Sequence, residues 1–238
     1  MRAFLALPLD GSARLAAARV QDAWRLVWPG EAVGWVVPEN FHLTLRFLGE
    51  IPEDAIASIA LGLQAAVTGF EPIPLTLARA TAFPRRDRPS VLVLEAPVPD
   101  ALADLVDRVD ASLRPSGLGP RDRPFRAHLT LGRVKTRGPL GPREIRPFPE
   151  PESVRWLADR VVLFRSFTDP SGARYVALHE ERLREAALAP LALSRTASCK
   201  VKSSPSHEPG GQADPCTRES SREDRISAAS RLSDGIRQ

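Results

Sequence analysis

Two histidines, His42 and His128, each open the tetrapeptide His-Leu-Thr-Leu, the second copy 86 residues after the first. Only four histidines occur in the chain, so half of them head identical contexts. Along a strand, successive side chains point to opposite faces. His42 and Thr44 therefore share one face, and Leu43 and Leu45 the other. The same reading pairs His128 with Thr130, and Leu129 with Leu131. Each copy predicts a strand with an apolar side for the core and an imidazole plus a hydroxyl on the reverse. If the two strands lie side by side, two imidazoles and two hydroxyls converge on one cleft, a set suited to acid/base chemistry on a phosphate.

Rival chemistries fit less well. A catalytic zinc usually takes three protein ligands, and neither strand carries a carboxylate beside its histidine. A serine nucleophile on a strained elbow needs Gly-x-Ser-x-Gly, which is absent. Both cysteines, Cys199 and Cys216, lie near the C-terminus, leaving the body without a thiol nucleophile or a disulfide framework. Two imidazoles with ordinary pKa values near 6.5 can divide the work, one neutral and one protonated at the same pH. Hydrolysis of a phosphodiester needs that division: one group takes a proton from water, the other gives one to the leaving oxygen. Thr44, Thr130 and a nearby arginine would then hold the non-bridging oxygens. Arg133, five residues after His128, is the natural candidate. Arg46, four after His42, is expected on the face of His42 and Thr44. His179, at a strand end, and His207, near the C-terminus, read as structural and solvated.

The elements that must position these groups follow from composition and periodicity. The 238 residues are 43% hydrophobic, enough for a sizeable core, with a net charge of +4 carried almost wholly by arginine. Arginine forks match phosphate oxygens, although a GC-rich coding bias yields the same excess. No apolar run approaches a bilayer-spanning length and no signal-peptide pattern opens the chain, so a cytoplasmic protein is expected. Strands are expected at Arg2–Leu7, Phe41–Gly49, Ile73–Ala78, Val91–Glu95, His128–Val134, Asp159–Arg165 and Tyr175–Glu181. Helices are expected at Asp10–Val27, Glu53–Val67 and Pro99–Leu113, with a loop over Phe83–Pro89. Clean one-sided alternation in the histidine strands favours antiparallel sheet with helices on one face. The predicted class is α+β, in two similar lobes that each supply one histidine strand to a central cleft. The domain spans residues 1–194. From Arg195 to Gln238 there is no aromatic residue, 9 of 44 residues are Ser, and 8 basic charges mix with 6 acidic ones. That segment is expected to be disordered, or loosely helical near Ser220–Leu232.

The stretches Trp35-Val-Val-Pro-Glu-Asn-Phe-His42-Leu-Thr-Leu-Arg-Phe-Leu-Gly49 and Arg123-Pro-Phe-Arg-Ala-His128-Leu-Thr-Leu-Gly-Arg-Val134 resemble the 2H phosphoesterase superfamily, named for two His-x-Thr/Ser-x motifs. More narrowly, they resemble the RNA 2′,3′-cyclic phosphodiesterases, also called 2′-5′ RNA ligases. The opening Arg2-Ala-Phe-Leu-Ala-Leu7 and the Phe83-Pro84 loop before Val91–Leu94 share that likeness, which spans about residues 1–183. Ala127 departs from it, where the family often has Pro. The resemblance implies a bilobal, pseudo-two-fold fold and metal-free, cofactor-free opening of a 2′,3′-cyclic phosphate at an RNA end to a 2′-phosphomonoester. His42 and Thr44 match its first motif and His128 and Thr130 its second, with Arg133 a basic residue near the phosphate. It makes His42 the acid for the 3′ leaving oxygen and His128 the base for water, although the symmetry of the sites allows the reverse. Expected partners are RNA ends or nucleotides bearing a 2′,3′-cyclic phosphate, with no membrane and no metal, and the chain is expected to act as a monomer. An RNA-end binding module or a 2′-5′ joining enzyme would use the same cleft. Phe41, Phe83 and Phe125 are candidate base-stacking platforms, with burial in the core the plainer reading of each.

Overall fold

A computed structural model of the chain describes residues 1–28, 32–85, 88–135, 152–169 and 172–184; all of them belong to one compact unit, Met1–Leu191. The segment expected to be disordered lies outside the described residues, as does His207. In chain order the elements are β1 (Arg2–Pro8), α1 (Gly11–Val27), β2 (Val33–Trp35), β3 (His42–Glu50), α2 (Ala55–Val67), β4 (Ile73–Leu77), β5 (Arg79–Arg85), β6 (Arg88–Glu95), α3 (Asp100–Ser112), β7 (His128–Val134), β8 (Val154–Ala158), β9 (Arg160–Asp169) and β10 (Gly172–Arg182). Among the described residues no helix is long and apolar enough to cross a membrane.

The fold is α+β. Its main sheet runs β10-β9-β1-β3-β7-β6-β5, with β2 also on β7, and its strand pairings are antiparallel. Two similar halves meet where β3 pairs with β7, and that joint rests on one registered pair, Leu43 opposite Leu129. Antiparallel continuation from this pair sets His42 opposite Thr130 and Thr44 opposite His128. The two histidine strands thus cross-match across the local two-fold.

The alternation read from sequence produces the layering. Leu43, Leu45, Leu129 and Leu131 are all at most 5% exposed. They form one core with Ala17, Val20 and Trp24 of α1, Ile59 and Leu63 of α2, and Leu102 and Leu105 of α3. Helix α1 begins where Asp10 accepts a hydrogen bond from the Ala13 backbone N–H at 2.7 Å, an N-cap of the expected kind. Helix α2 begins at Ala55 rather than Glu53, and Asp54 before it makes no side-chain cap. Helices α2 and α3 approach closely at Gly62, where a Cβ would lie 2.6 Å from the Ser112 carbonyl oxygen.

One local expectation is corrected, and two strands were unforeseen. Within the expected loop, residues 83–85 and 88–89 are strand: β5 and β6 pair Phe83 with Val91 and Arg79 with Glu95. The prolines that suggested a break lie at one end of this pairing. Strand β8 was unforeseen because its five residues follow a Pro/Gly-rich stretch; among the described residues it pairs with β4 alone, in a separate two-stranded sheet. Strand β2 was likewise unforeseen; its three residues, Val33–Trp35, are fixed by their pairing with β7.

Candidate active site

His42 and Thr44 on β3, and His128, Thr130 and Arg133 on β7, all line one cleft of about 830 Å³. The two histidines, the two threonines and Arg133 are therefore brought together, whereas the flanking Arg46 is not. The imidazoles are partly buried, and each is held the same way. His42 Nδ1 lies 2.7 Å from the Asn40 carbonyl oxygen, and His128 Nδ1 lies 2.7 Å from that of Arg126. A carbonyl only accepts, so both rings carry a proton on Nδ1 and offer Nε2 for chemistry. Two residues of chain separate each ring from its carbonyl, so one local turn, repeated in both halves, fixes the tautomer. His42 Nε2 is 3.0 Å from Thr44 Oγ1; in the neutral ring it accepts the hydroxyl proton.

The surroundings of the two rings differ. His42 packs among Phe4 (ring centroids 4.9 Å apart), Tyr175 (5.2 Å, edge-on) and Phe164 (6.4 Å). Burial in this aromatic cage pushes its pKa down from 6.5 to about 4, with the charges of His128 and Arg133 adding to the fall and the Asn40 carbonyl opposing it. Burial also lowers the pKa of His128, and there the Arg126 carbonyl and the Glu95 carboxylate push back. Glu95 lies directly across from His128 in the β6–β7 register and is ion-paired with Arg126 and Arg79. Both histidines are thus neutral in the free protein near pH 7, and His128 keeps a proton more readily than His42.

Arg133 is exposed and lines the cleft. Among the described residues it has no carboxylate within ion-pair distance, so its charge is available to an anion. Arg46 behaves differently. The β1–β3 register shifts after Leu5, so that Leu5 opposes Arg46 while Ala6 opposes Thr44. This β-bulge turns Arg46 away from the alternation with His42 and Thr44. Its Nε lies 3.3 Å from Asp110 Oδ1 on α3 and its Nη2 donates to the Gly119 carbonyl oxygen at 2.7 Å. Phe47 takes its place over the cleft, 68% exposed. His179 pairs with Glu181 at 2.8 Å on β10 and lies outside the cleft lining, as a structural histidine should.

Behind the site, Gln21 of α1 is 1% exposed. Its Nε2 donates to the Val36 carbonyl oxygen at 2.7 Å and to that of Leu131 at 2.8 Å, pinning the strand that carries Thr130 and Arg133. Asn40 links the cleft's rim: its side chain donates to the Ala173 carbonyl oxygen of β10 at 2.6 Å while its own carbonyl holds His42. The sequence had marked neither, nor Tyr175 or Glu95. Asn40 and Arg126 share one readable signal, their place two residues before each histidine. Of the candidate platforms, Phe41 is 3% exposed and belongs to the core. Phe83 packs edge-on to His128 at 5.2 Å and, with Phe125, lines a second cavity beside the cleft.

Among the described residues no group of three or more His, Cys, Asp or Glu side chains could hold a metal ion. The donors that converge are instead two imidazoles, two hydroxyls and a guanidinium, a set that can move protons and bind a phosphate.

Comparison with known proteins places the chain in a family. The family described as LigT like Phosphoesterase matches the chain twice, over residues 16–93 and 92–175. Each match contains one histidine strand, β3 in the first and β7 in the second. The chain is 31% identical over 190 residues to a protein of Methanothermobacter thermautotrophicus named RNA 2′,3′-cyclic phosphodiesterase, covering 77% of this chain and 99% of that one. It is likewise 31% identical over 180 residues to the Thermotoga maritima protein of the same name, covering 76% and 94%. Among solved structures it superposes on TT0787 of Thermus thermophilus with a TM-score of 0.64 at 26% identity, covering 79% of this chain and 100% of that one. With Escherichia coli LigT complexed with 3′-AMP the TM-score is 0.62 at 26% identity, covering 77% and 98%. The duplicated match, the paired histidine strands and the shared architecture place this chain in the LigT-like phosphoesterase family.

Proposed function

We propose that this protein is an RNA 2′,3′-cyclic phosphodiesterase that opens a terminal 2′,3′-cyclic phosphate to a 2′-phosphomonoester, without a metal, by acid/base catalysis between His42 and His128. The observation that carries the reading is the matched presentation of two imidazoles. Each is tied through Nδ1 to a backbone carbonyl, and both line one cleft with two hydroxyls and the Arg133 guanidinium. The name shared by the curated relatives supports the same chemistry.

In the reaction, a neutral imidazole takes a proton from water as the water oxygen bonds to phosphorus. The bond from phosphorus to O3′ breaks, and the protonated imidazole delivers its proton to that oxygen. The phosphate stays on O2′. Thr44 and Thr130 donate hydrogen bonds to the non-bridging oxygens, and Arg133 offsets the charge that gathers there in the transition state. Fixed Nδ1 tautomers keep both Nε2 atoms aimed at the phosphate, which lowers the orientational cost of the step. The two rings end with their protonation exchanged and reset through solvent.

The electrostatics of the free protein favour His128 as the proton donor and His42 as the base, because Glu95 supports a proton on His128 and nothing comparable among the described residues stands beside His42. This reverses the direction that the family resemblance implies, and the pseudo-two-fold cleft accommodates either. A substrate with sulfur at the bridging 3′ position needs no protonation of its leaving group, so it should rescue the variant lacking the acid, expected to be His128→Ala. An RNA substrate puts the enzyme in the cytoplasm on this reading. The test of the activity is incubation of purified protein with an RNA ending in a 2′,3′-cyclic phosphate, in EDTA. A 2′-phosphate product is expected; intact substrate, or a 3′-phosphate, would refute the proposal.

A further inference from the structure

The reaction at the two histidines leaves a second cavity unexplained. It encloses about 700 Å³, a size typical of ligand pockets, and it shares Thr44, Phe47, Arg123 and His128 with the catalytic cleft. The two spaces therefore adjoin along these four residues, and a ligand extending past the cleft on this side meets the walls of the second.

Its walls have a distinct chemistry. Phe47 stands at the join, 68% exposed, in a chain that buries Phe41 to 3% on the same segment. The bulge in β3 holds this ring up into solvent instead of letting the strand alternation bury it. Phe83 and Phe125 also line this cavity. The Arg126 guanidinium covers the Phe83 ring at 4.0 Å, which leaves Phe47 as the wall with an open face. Of the arginines that line the cavity, Arg121 is paired with Asp107, Arg126 with Glu95 and Arg46 with Asp110. Arg123 also lines the cavity and, among the described residues, has no carboxylate within ion-pair distance; it too stands where the two spaces meet. An open aromatic face beside an uncommitted guanidinium is the pairing that binds single-stranded nucleic acid, one stacking a base and the other holding the backbone.

Resting on the RNA activity proposed above, we propose that the second cavity binds the nucleotide preceding the cyclic-phosphate terminus, with Phe47 stacking its base and Arg123 holding the phosphodiester that joins the two nucleosides. The substrate class is then an oligonucleotide end rather than a free cyclic mononucleotide. The cleft supplies the chemistry, and the neighbouring cavity supplies the preference.

The test compares kcat/KM for cytidine 2′,3′-cyclic monophosphate with that for the cytidine dinucleotide bearing the same cyclic end, both in EDTA. Wild type should prefer the dinucleotide by about 5–150-fold, the range of one base-stacking contact. Phe47→Ala should remove most of that preference through KM, while Phe47→Tyr should keep it. Arg123→Gln should reduce the preference and flatten its salt dependence. Because the readout is a ratio of two substrates on the same preparation, partial misfolding cancels. Equal kcat/KM for the two substrates in wild type, or losses in Phe47→Ala that are the same for both, would overturn this proposal while leaving cyclic-phosphate hydrolysis intact. Failure of wild type to open either substrate would overturn the activity itself and this proposal with it.

Discussion

Replacing His42 by asparagine should change how stability depends on pH, by an amount set by the ring's surroundings. The aromatic cage of Phe4, Phe164 and Tyr175 holds the folded-state pKa of His42 at about 4, against 6.5 without it. The unfolded chain therefore takes up a proton as pH falls below 6.5, whereas the folded chain refuses it until about pH 4. Where the unfolded state binds more protons, stability falls with falling pH. The penalty is negligible well above pH 6.5; it grows to about 2 kcal/mol at pH 5 and levels off near ~3 kcal/mol below pH 4. The asparagine of His42→Asn cannot titrate, and its amide can still donate toward the Asn40 carbonyl. Urea unfolding at pH 7.5 and pH 5 for both proteins isolates the contribution, since every other titrating group is common to them. The wild type should lose about 2 kcal/mol more than the variant over that interval. Parallel losses in the two proteins would show that the folded cage does not exclude the proton, and the neutral state assigned to His42 in the free protein would be wrong.

Three other outcomes follow from the same structure. Because both histidine pKa values are lowered, the singly protonated pair is most populated on the acid side of pH 6.5, so a plot of kcat/KM against pH should be bell-shaped with its maximum there; a maximum above pH 7.5 would contradict the assignment. Gln21→Leu leaves the Val36 carbonyl without its buried donor and should cost about 1–3 kcal/mol in urea unfolding; an unchanged midpoint would show that water replaces the amide. Gly62→Ala should lower Tm although alanine favours helix by about 1 kcal/mol, because the new methyl lands 2.6 Å from the Ser112 carbonyl oxygen and must push α3 away from α2; a rise in Tm would show that the crossing is loose.

What could be read from sequence was local and periodic. The alternation of His-Leu-Thr-Leu showed which face is core and which is cleft, and the repeat showed that two such faces exist. Asp10 announced the start of α1 because capping is decided within four residues. Arg46 and Phe47 show where that legibility ends. Strict alternation puts Arg46 beside Thr44, but the partner strand β1 forces a bulge, and the bulge exchanges the roles of the two residues. The pairing that decides this lies some forty residues away in the chain. Phe83 was similarly opaque: an aromatic before a proline looks like a loop residue until β6 folds back on it and His128 packs against its edge. Glu95 and Tyr175 act on the histidines only through tertiary contacts, so no short pattern marks them; Asn40, like Arg126, acts through its backbone carbonyl, and its one readable signal is the repeated offset of two residues before each histidine.

The account stands on two imidazoles working as a pair on one phosphorus, and a double-mutant cycle measures that directly. Single-turnover rates on an RNA 2′,3′-cyclic phosphate, in EDTA, would be compared for wild type, His42→Ala, His128→Ala and the double variant. Each single change should cost about 10²–10⁴-fold, and the double variant little more than the worse single one, because groups that act as a unit lose their joint contribution once. Near-wild-type rates in either single variant, or losses that multiply in full, would show that the two rings do not share one proton-transfer step.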